Sequence, residues 1–291
     1  CAPLSITNAA IALSLRIHYN LVVGDDKISE MLKMRLDKLL LVRGLVETRA
    51  KARGLIMAGD VLVSGRIVDK AGSQVRGDAN VEIKSRLRFV SRGGVKLAAG
   101  IECMRLEIDG LVCADVGAST GGFTDCMLQH GVKRVYAIDV GKGILHWRIR
   151  NDPRVVLMEE TNARYLRDLP EKVGLVTIDA SFISLRLLLP MAIRWLERSS
   201  GVILALIKPQ FEAGRTQVGR GGVVRSVHVH RQVLRDVCEF AGSIGMHTKN
   251  IMQSPLRGPA GNVEFLAFLT QTDAGVRVKD LVAQILPESD L

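Results

Sequence analysis

The chain has 291 residues, of which 47% are hydrophobic and 24% are charged, a composition typical of packed domains and not of a disordered segment. Its five cysteines are scattered and form no C-x-x-C pair, which argues against a disulfide framework or a zinc site and favours a reducing, cytoplasmic compartment. No apolar run approaches the roughly 18 residues of a membrane-spanning helix, so we expect no membrane partner. The net charge of +10 instead favours a polyanionic partner.

Most of the positive charge lies near the N-terminus. Residues 34–96 contain 14 Lys and Arg against 6 Asp and Glu, whereas residues 1–33 are neutral overall. Residues 1–33 also carry no usable motif, and a sharply different pattern begins at Met34. We therefore expect residues 1–33 to be an extension of unknown role, with the native start at Met31 or Met34, and residues 34–92 to form a basic domain and its linker.

Residues 36–56 place leucine, alanine and isoleucine at helical spacing, which predicts two short helices separated at Gly44. A hairpin follows, in which Val61–Val63 and Arg66–Val68 flank a tight Ser-Gly turn. Val81–Ile83 supplies a further short strand.

The polar side of this helix pair carries four basic residues: Arg35, Lys38, Arg49 and Arg53. A solvated charged face is the ordinary explanation, but the charge excess in so few positions favours contacts with phosphates. The strings R-L-D-x-x-L and G-x-V-x-V-x-G, on either side of the glycine break, resemble the S4 RNA-binding domain over about residues 34–85. The resemblance implies that the helix pair docks on structured RNA and that these four side chains contact its backbone.

The stretch Leu111–Asp125, L-V-C-A-D-V-G-A-S-T-G-G-F-T-D, runs from an apolar strand through a glycine-rich turn into a helix. This order is typical of the first unit of a nucleotide-binding α/β sheet, in which glycines let the backbone approach the ligand and adopt the unusual φ/ψ that the turn demands. The spacing matches neither the dinucleotide motif nor the P-loop. An acid before the first glycine fits the S-adenosylmethionine (AdoMet) loop of methyltransferases, although such a string alone is weak support. The residues expected to hold the cofactor here are Asp115, Gly117, Ser119, Gly121, Gly122 and Phe123.

From residue 111 onward, apolar strands alternate with helices. The later predicted strands cover residues 134–139, 155–158, 173–179, 201–207 and 262–269, and the predicted helices cover 123–130, 183–196, 228–241 and 276–286. This order predicts an α/β fold with a doubly wound, mostly parallel sheet. Ligands of such sheets bind at the carboxyl ends of the strands, which is where Asp115, Asp139, Asp179 and Lys208 lie in the sequence.

Three of the residues that follow strands are candidates for specific roles. Asp139, about 20 residues beyond the glycine turn, is expected to accept hydrogen bonds from a ribose, although a helix N-cap is the alternative. Asn162 follows the third strand, where such folds meet the adenine. Lys208 is followed by Pro209, and partial desolvation there would let it act as a base. A lysine that merely extends its charge into solvent is the ordinary alternative.

Five strings resemble the FtsJ-like 2′-O-ribose methyltransferases: S-R-G-G-V-K-L (91–97), D-V-G-A-S-T-G-G-F-T-D (115–125), I-D-A-S-F-I-S-L (178–185), K-P-Q-F-E-A-G-R (208–215) and G-P-A-G-N-V-E-F-L (258–266). Combined with the S4 pattern, they resemble the TlyA family, also called haemolysin A. The resemblance implies a Rossmann-like methyltransferase domain over residues 93–272 and a C-terminal helix or tail over residues 273–291. It also implies AdoMet as cofactor, no metal, and ribosomal RNA or a ribosomal subunit as partner.

The same resemblance assigns a catalytic Lys-Asp-Lys-Glu tetrad to Lys96, Asp179, Lys208 and Glu264. In the implied reaction, AdoMet methylates an RNA 2′-hydroxyl, with a cytidine as the expected nucleotide. Lys208 takes the hydroxyl proton or stabilises the forming oxyanion, Asp179 and Glu264 hold its ammonium, and Lys96 helps to place the hydroxyl.

The sequence leaves other interpretations of one loop and of the function of the chain open. The basic stretch Arg215–Arg225 either covers the substrate and contacts RNA or is an ordinary surface loop. The whole chain could also be an RNA-binding or ribosome-assembly factor without catalysis. A third function is the membrane-lytic activity implied by the haemolysin name.

Overall fold

A computed structural model describes residues 33–46, 48–57, 59–83, 88–272 and 276–287. The expected N-terminal extension therefore lies outside the described residues, apart from Lys33. The chain divides into two compact units, Cys1–Arg86 and Leu87–Leu291. Among the described residues, no helix combines the length and the apolar character needed to cross a membrane.

The first unit is a small α+β domain. Its helices are α1 (Leu36–Val42) and α2 (Arg49–Met57), and its strands are β1 (Lys33–Arg35), β2 (Val61–Val63), β3 (Arg66–Ile67), β4 (Gln74–Arg76) and β5 (Val81–Ile83). Strand β2 pairs antiparallel with both β3 and β5, while β1 and β4 form a separate pair that the sequence does not predict. The hairpin turn is confirmed, since Ser64 and Gly65 both have the positive φ that such a turn requires, 50° and 77°.

The helical periodicity of residues 36–56 corresponds to one apolar face that closes this first core. Leu36, Leu40 and Ile56 are fully buried there, together with Val61 of β2. The apolar positions of α1 and α2 face each other because they recur every three or four residues. Their polar positions are therefore left on the outside of the helix pair.

The second unit contains a seven-stranded sheet in the order β11-β12-β10-β9-β6-β7-β8. The strands are β6 (Val112–Val116), β7 (Arg134–Ile138), β8 (Val155–Met158), β9 (Leu175–Ile178), β10 (Val202–Ile207), β11 (His247–Gln253) and β12 (Phe265–Thr270). The pairs from β10 through β8 are parallel, and β12 runs antiparallel to both of its neighbours, β10 and β11. The doubly wound, mostly parallel α/β sheet is thus confirmed.

Helices cover both faces of this sheet. They are α3 (Gly93–Met104), α4 (Gly122–Gln129), α5 (Trp147–Arg150), α6 (Leu185–Trp195), α7 (Pro209–Glu212), α8 (Val227–Ser243) and α9 (Val278–Ile285). One apolar core contains Leu97 of α3 and Met127 of α4. The other contains Leu189 of α6, Leu234 of α8 and Val282 of α9. Because apolar layers cover both faces, the parallel strands read as continuous hydrophobic runs, which is why the sequence predicts them.

The chain reverses its winding direction at β6. From β6 it proceeds outward to β7 and β8, and then crosses back to β9 on the other side of β6. The carboxyl ends of β6 and β9 therefore diverge into helices on opposite faces, which leaves a crevice between them. That crevice is where the sheet favours a ligand.

Candidate functional site

Two adjoining clefts open at the carboxyl ends of β6 and β9. The larger cleft, of about 430 Å³, extends past the end of β7 and is lined by Asp139, Asn162 and the apolar side chains of Ile138, Ile183 and Leu188. The smaller cleft, of about 260 Å³, lies towards α3 and β10. Its lining includes three of the four predicted tetrad members, Lys96, Asp179 and Lys208, together with the predicted cofactor residues Gly122 and Phe123. The two clefts share Gly117, Ser119, Asp179 and Ser181.

Asp139 is held at the rim of the larger cleft by backbone donors. Its Oδ2 accepts the amide hydrogen of Ser119 at 2.8 Å, and its Oδ1 accepts that of Gly141 at 2.7 Å. The alternative helix N-cap is wrong, because the next helix begins at Trp147 with His146 at its cap. An ionised carboxylate has roughly four acceptor positions, so Asp139 retains capacity for two hydroxyl donors.

Asn162 lies on the same wall as Asp139. Its Oδ1 accepts the amide hydrogen of Arg164 at 3.0 Å, which fixes the side chain as the cap of the 3₁₀ turn Ala163–Tyr165. The cap leaves Nδ2 as the available polar group of this exposed side chain. The arrangement suits a heterocycle that offers a hydrogen-bond acceptor.

Asp115 has a different position from the expected one. It is fully buried, lines neither cleft, and accepts hydrogen bonds from Thr124 (2.6 Å) and Thr177 (2.9 Å). Burial raises the pKa of Asp115 to about 6. The carboxylate therefore links the end of β6 to α4 and β9 from below the glycine turn, because those threonines belong to α4 and β9.

The glycines of the turn have a further reason besides the unusual φ/ψ that the sequence predicts. A Cβ atom on Gly117 would lie 2.8 Å from the backbone oxygen of Asp179, and one on Gly122 would lie 2.2 Å from Ser91 Oγ. On Gly121, which lines neither cleft, it would lie 2.9 Å from Leu145. The glycines thus allow the turn to pack against the protein itself, and Gly117 and Gly121 also adopt positive φ, 80° and 92°.

Lys208 meets Asp179 at the end of β9. Its Nζ lies 2.7 Å from Asp179 Oδ1, 2.9 Å from Ser181 Oγ and 3.3 Å from the backbone oxygen of Asp179. The contact with Oδ1 is a close ion pair and not an aligned hydrogen bond, since this buried oxygen accepts none from the described residues. Only 9% of the Lys208 side chain is exposed, so the charge is largely removed from solvent and directed along the cleft.

Lys96 and Glu264 form a second pair at this site. Lys96 Nζ lies 2.5 Å from Glu264 Oε2, and the two residues are 8% and 1% exposed. The sequence predicts that Glu264 orients Lys208, and this is wrong, because β12 and α3 bring its carboxylate to Lys96 instead. Gly258 leaves room for that carboxylate, since a Cβ there would lie 2.5 Å from Oε1.

Four cleft residues were not singled out from the sequence. Ser181 contacts Lys208, and Phe182 follows it with 89% of its surface exposed and its ring 5.0 Å from that of Phe211. Arg92 and Arg257 add positive charge to the lining of the smaller cleft. The string D-A-S-F carries the first two residues, but their types alone did not indicate a role.

The basic loop after Lys208 is anchored by buried side chains. Asn262 is 2% exposed, and its Oδ1 accepts the amide hydrogen of Val224 while its Nδ2 donates to Gly222 O, at 3.0 and 2.9 Å. His230 Nε2 donates to Val224 O at 3.0 Å, and burial lowers the pKa of His230, which favours the neutral ring. The end of the loop therefore has a defined position relative to Glu264.

In the first unit, Asp37 organises two of the predicted RNA contacts. This fully buried carboxylate meets Arg35 Nη2 at 3.1 Å and Arg49 Nε at 3.0 Å. The hydrogen bond from Arg35 is the main cause that lowers the pKa of Asp37 to about 2, with a further contribution from Arg49 against the effect of burial. Both arginine side chains remain about half exposed, and Lys38 and Arg53 are exposed as well.

Comparison with known proteins agrees with this architecture. Residues 89–271 match the FtsJ-like methyltransferase family, and residues 34–81 match the S4 domain. The chain is 41% identical over 256 residues to the 16S/23S rRNA (cytidine-2′-O)-methyltransferase TlyA of Mycobacterium tuberculosis, which covers 86% of this chain and 94% of that protein. It is 37% identical to Hemolysin A of Brachyspira hyodysenteriae, with 80% of this chain and 98% of that protein covered.

A solved structure gives the same result. A hemolysin from Streptococcus thermophilus is 43% identical to this chain, covers 87% of it and 96% of its own length, and superposes with a TM-score of 0.66. Family membership also decides against a protein without catalysis, because the matched domain is that of an enzyme family. The chain thus belongs to the FtsJ-like methyltransferase family and carries an S4 domain ahead of its methyltransferase domain.

Proposed function

We propose that this protein transfers a methyl group from AdoMet to the 2′-hydroxyl of a cytidine in ribosomal RNA. The observation that carries the proposal is the convergence of two buried lysine–carboxylate pairs, Lys208–Asp179 and Lys96–Glu264, beside a cleft with the polar groups of a nucleoside site. The rRNA (cytidine-2′-O)-methyltransferase name of the 41% identical relative supports the choice of substrate.

The larger cleft fits the AdoMet cofactor. Its volume lies in the range of small-molecule sites, roughly 300–1,000 Å³. Asp139 would accept hydrogen bonds from the ribose, Asn162 would donate to the adenine, and Ile138, Ile183 and Leu188 would cover its faces. When bound, AdoMet supplies a methyl group activated by its sulfonium, so the reaction needs no further activation of the leaving group.

The smaller cleft holds the groups that act on the nucleophile. A ribose hydroxyl must lose its proton as it attacks. Lys208 is placed to stabilise the oxygen as charge develops while it is an ammonium, or to receive the proton once it has released one of its own to solvent. Asp179 keeps the Lys208 nitrogen at the junction of the two clefts. Lys96, fixed by Glu264, adds a second positive charge that would hold the hydroxyl or the adjoining phosphate.

The RNA would contact both units of the chain. Arg35, Lys38, Arg49 and Arg53 offer phosphate contacts on the S4 domain, with two of them fixed by Asp37. Within the methyltransferase unit, Arg92 and Arg257 line the smaller cleft, and the exposed ring of Phe182 offers a surface on which a base can stack. This combination of cations and an aromatic ring suits an unpaired nucleotide within structured RNA.

The test is methyl transfer by the purified full chain to isolated small and large ribosomal subunits, with labelled AdoMet and nucleoside analysis of the product. We expect 2′-O-methylcytidine with the wild type and no product with Lys208→Met. Lys249→Met, which changes an exposed lysine on β11, is the matched control and should retain the wild-type rate. Wild-type activity in Lys208→Met, or methylation at a base atom, would overturn the proposal.

A further inference from the structure

Ser181 stands where the two clefts meet. It is one of the four residues that line both of them, it is exposed to the cleft, and its Oγ lies 2.9 Å from Lys208 Nζ. It follows Asp179 by two residues at the end of β9, so the same short segment supplies every described contact of the lysine nitrogen. The tetrad predicted from the sequence, Lys96, Asp179, Lys208 and Glu264, does not include this hydroxyl.

The contacts of Lys208 leave one of its hydrogens for a substrate. An ammonium has three N–H donors, and this one donates to Ser181 Oγ at 2.9 Å and to the backbone oxygen of Asp179 at 3.3 Å. Asp179 Oδ1 lies 2.7 Å from Nζ as the ion-pair partner, but it accepts no hydrogen bond from the described residues. The two donated hydrogen bonds therefore set the direction of the third N–H.

Of the three partners of Lys208, Ser181 is the one whose removal changes direction without changing charge. The ion pair with the Asp179 carboxylate is largely buried and balances the ammonium. The backbone oxygen of Asp179 is fixed at the end of β9. The serine hydroxyl is neutral and exposed to the cleft, so its removal would free the lysine nitrogen to turn and would leave no buried charge unpaired.

Building on the function proposed above, we infer that Ser181 is a positioning residue for Lys208. Its Oγ holds the lysine nitrogen at the junction of the clefts and keeps that contact while the third N–H of Nζ meets the RNA 2′-hydroxyl. Asp179 balances the charge of the Lys208 ammonium, and Ser181 fixes the direction in which its Nζ atom points. The hydroxyl of Ser181 takes no part in bond making, so its effect passes through the geometry of Lys208 alone.

The test compares Ser181→Ala, Ser181→Thr and Lys208→Met in the full chain with the ribosomal subunit that the wild type methylates. Loss of one hydrogen bond to a charged group should lower kcat about 10-fold in Ser181→Ala. The KM for the subunit and the Kd for AdoMet should stay unchanged, because Ser181 is not needed to bind either. Ser181→Thr retains the hydroxyl on an exposed residue and should recover most of kcat. Ser243→Ala, which removes a hydroxyl at the end of α8, is the matched control.

The outcomes separate this inference from the function on which it rests. Full activity in Lys208→Met would overturn the proposed function itself. An inactive Lys208→Met together with wild-type kcat in Ser181→Ala would overturn only the role of Ser181. A rise in KM at constant kcat, or an equal loss in the alanine and threonine variants, would overturn it as well, since neither result comes from a hydroxyl that directs Lys208.

Discussion

The buried pair Lys96–Glu264 gives the sharpest prediction about stability. The pair links α3 to the residue before β12, across 168 positions of the chain, and Glu264 is 1% exposed. In Lys96→Met the carboxylate loses the cation that compensates its burial. Removal of one partner of a buried pair costs about 3–5 kcal/mol, so we expect Lys96→Met to lower the free energy of unfolding by about 3 kcal/mol.

The uncompensated charge of the Glu264 carboxylate should be the cause of the lower free energy of unfolding of Lys96→Met. The double variant Lys96→Met/Glu264→Gln removes the uncompensated carboxylate and should be more stable than Lys96→Met by about 1–3 kcal/mol. Lys142→Met is the control, because Lys142 pairs with Glu160 at a similar distance, 2.7 Å, on the surface. Their side chains are 72% and 63% exposed, so that change should cost less than about 1 kcal/mol.

Tryptophan fluorescence during urea unfolding measures these differences in the free energy of unfolding for the unit that contains the Lys96–Glu264 pair. The chain has two tryptophans, Trp147 and Trp195, and both belong to the methyltransferase unit, where Trp195 is 1% exposed. The signal therefore reports on the domain that contains the pair. If Lys96→Met costs no more than Lys142→Met, or if the added Glu264→Gln change recovers no stability, the claim that burial makes this pair interdependent is refuted.

Three further predictions concern other parts of the molecule. Because hydrogen bonds from its arginine partners hold the pKa of Asp37 at about 2, below its ordinary value of 3.8, the stability that they give is present above about pH 4 and is lost as the pH falls towards 2. The difference in thermal stability between wild type and Asp37→Asn, followed by circular dichroism, should shrink over that interval. Gly122→Ala places a Cβ 2.9 Å from the backbone nitrogen of Gly94 and should weaken AdoMet binding in calorimetry, whether or not Ser91 is also changed to glycine. Asn262→Ala removes the side chain that holds the basic loop Arg215–Arg225. With that loop as an RNA contact, we expect the KM for the ribosomal subunit to rise several-fold while the Kd for AdoMet stays constant, and an unchanged KM would make it an ordinary surface loop.

The sequence by itself determined the secondary structure where burial is complete. Strands such as Val202–Ile207 lie between two apolar layers, so every residue is hydrophobic and the pattern is unambiguous. His247–Gln253 escaped prediction because it is the edge strand of the sheet, with a mixed sequence and an irregular register near Asn250. The turn at Ser64 and Gly65 was predictable because its requirement is local.

Most of the catalytic and cofactor-binding residues predicted from the sequence line the clefts, because chemistry at the ends of parallel strands follows from chain order alone. The sequence predicted that Asp179 meets Lys208, which is confirmed, but it did not predict the other partners. Glu264 pairs with Lys96 and not with Lys208, Asp115 lies beneath the glycine turn, and Ser181 reaches the lysine nitrogen. These outcomes depend on the order of strands in the sheet and on the space left by residues such as Gly258, and both are set by the packing of segments far apart in the chain. Local periodicity carries no information about that packing, so only the tertiary structure decided the partners.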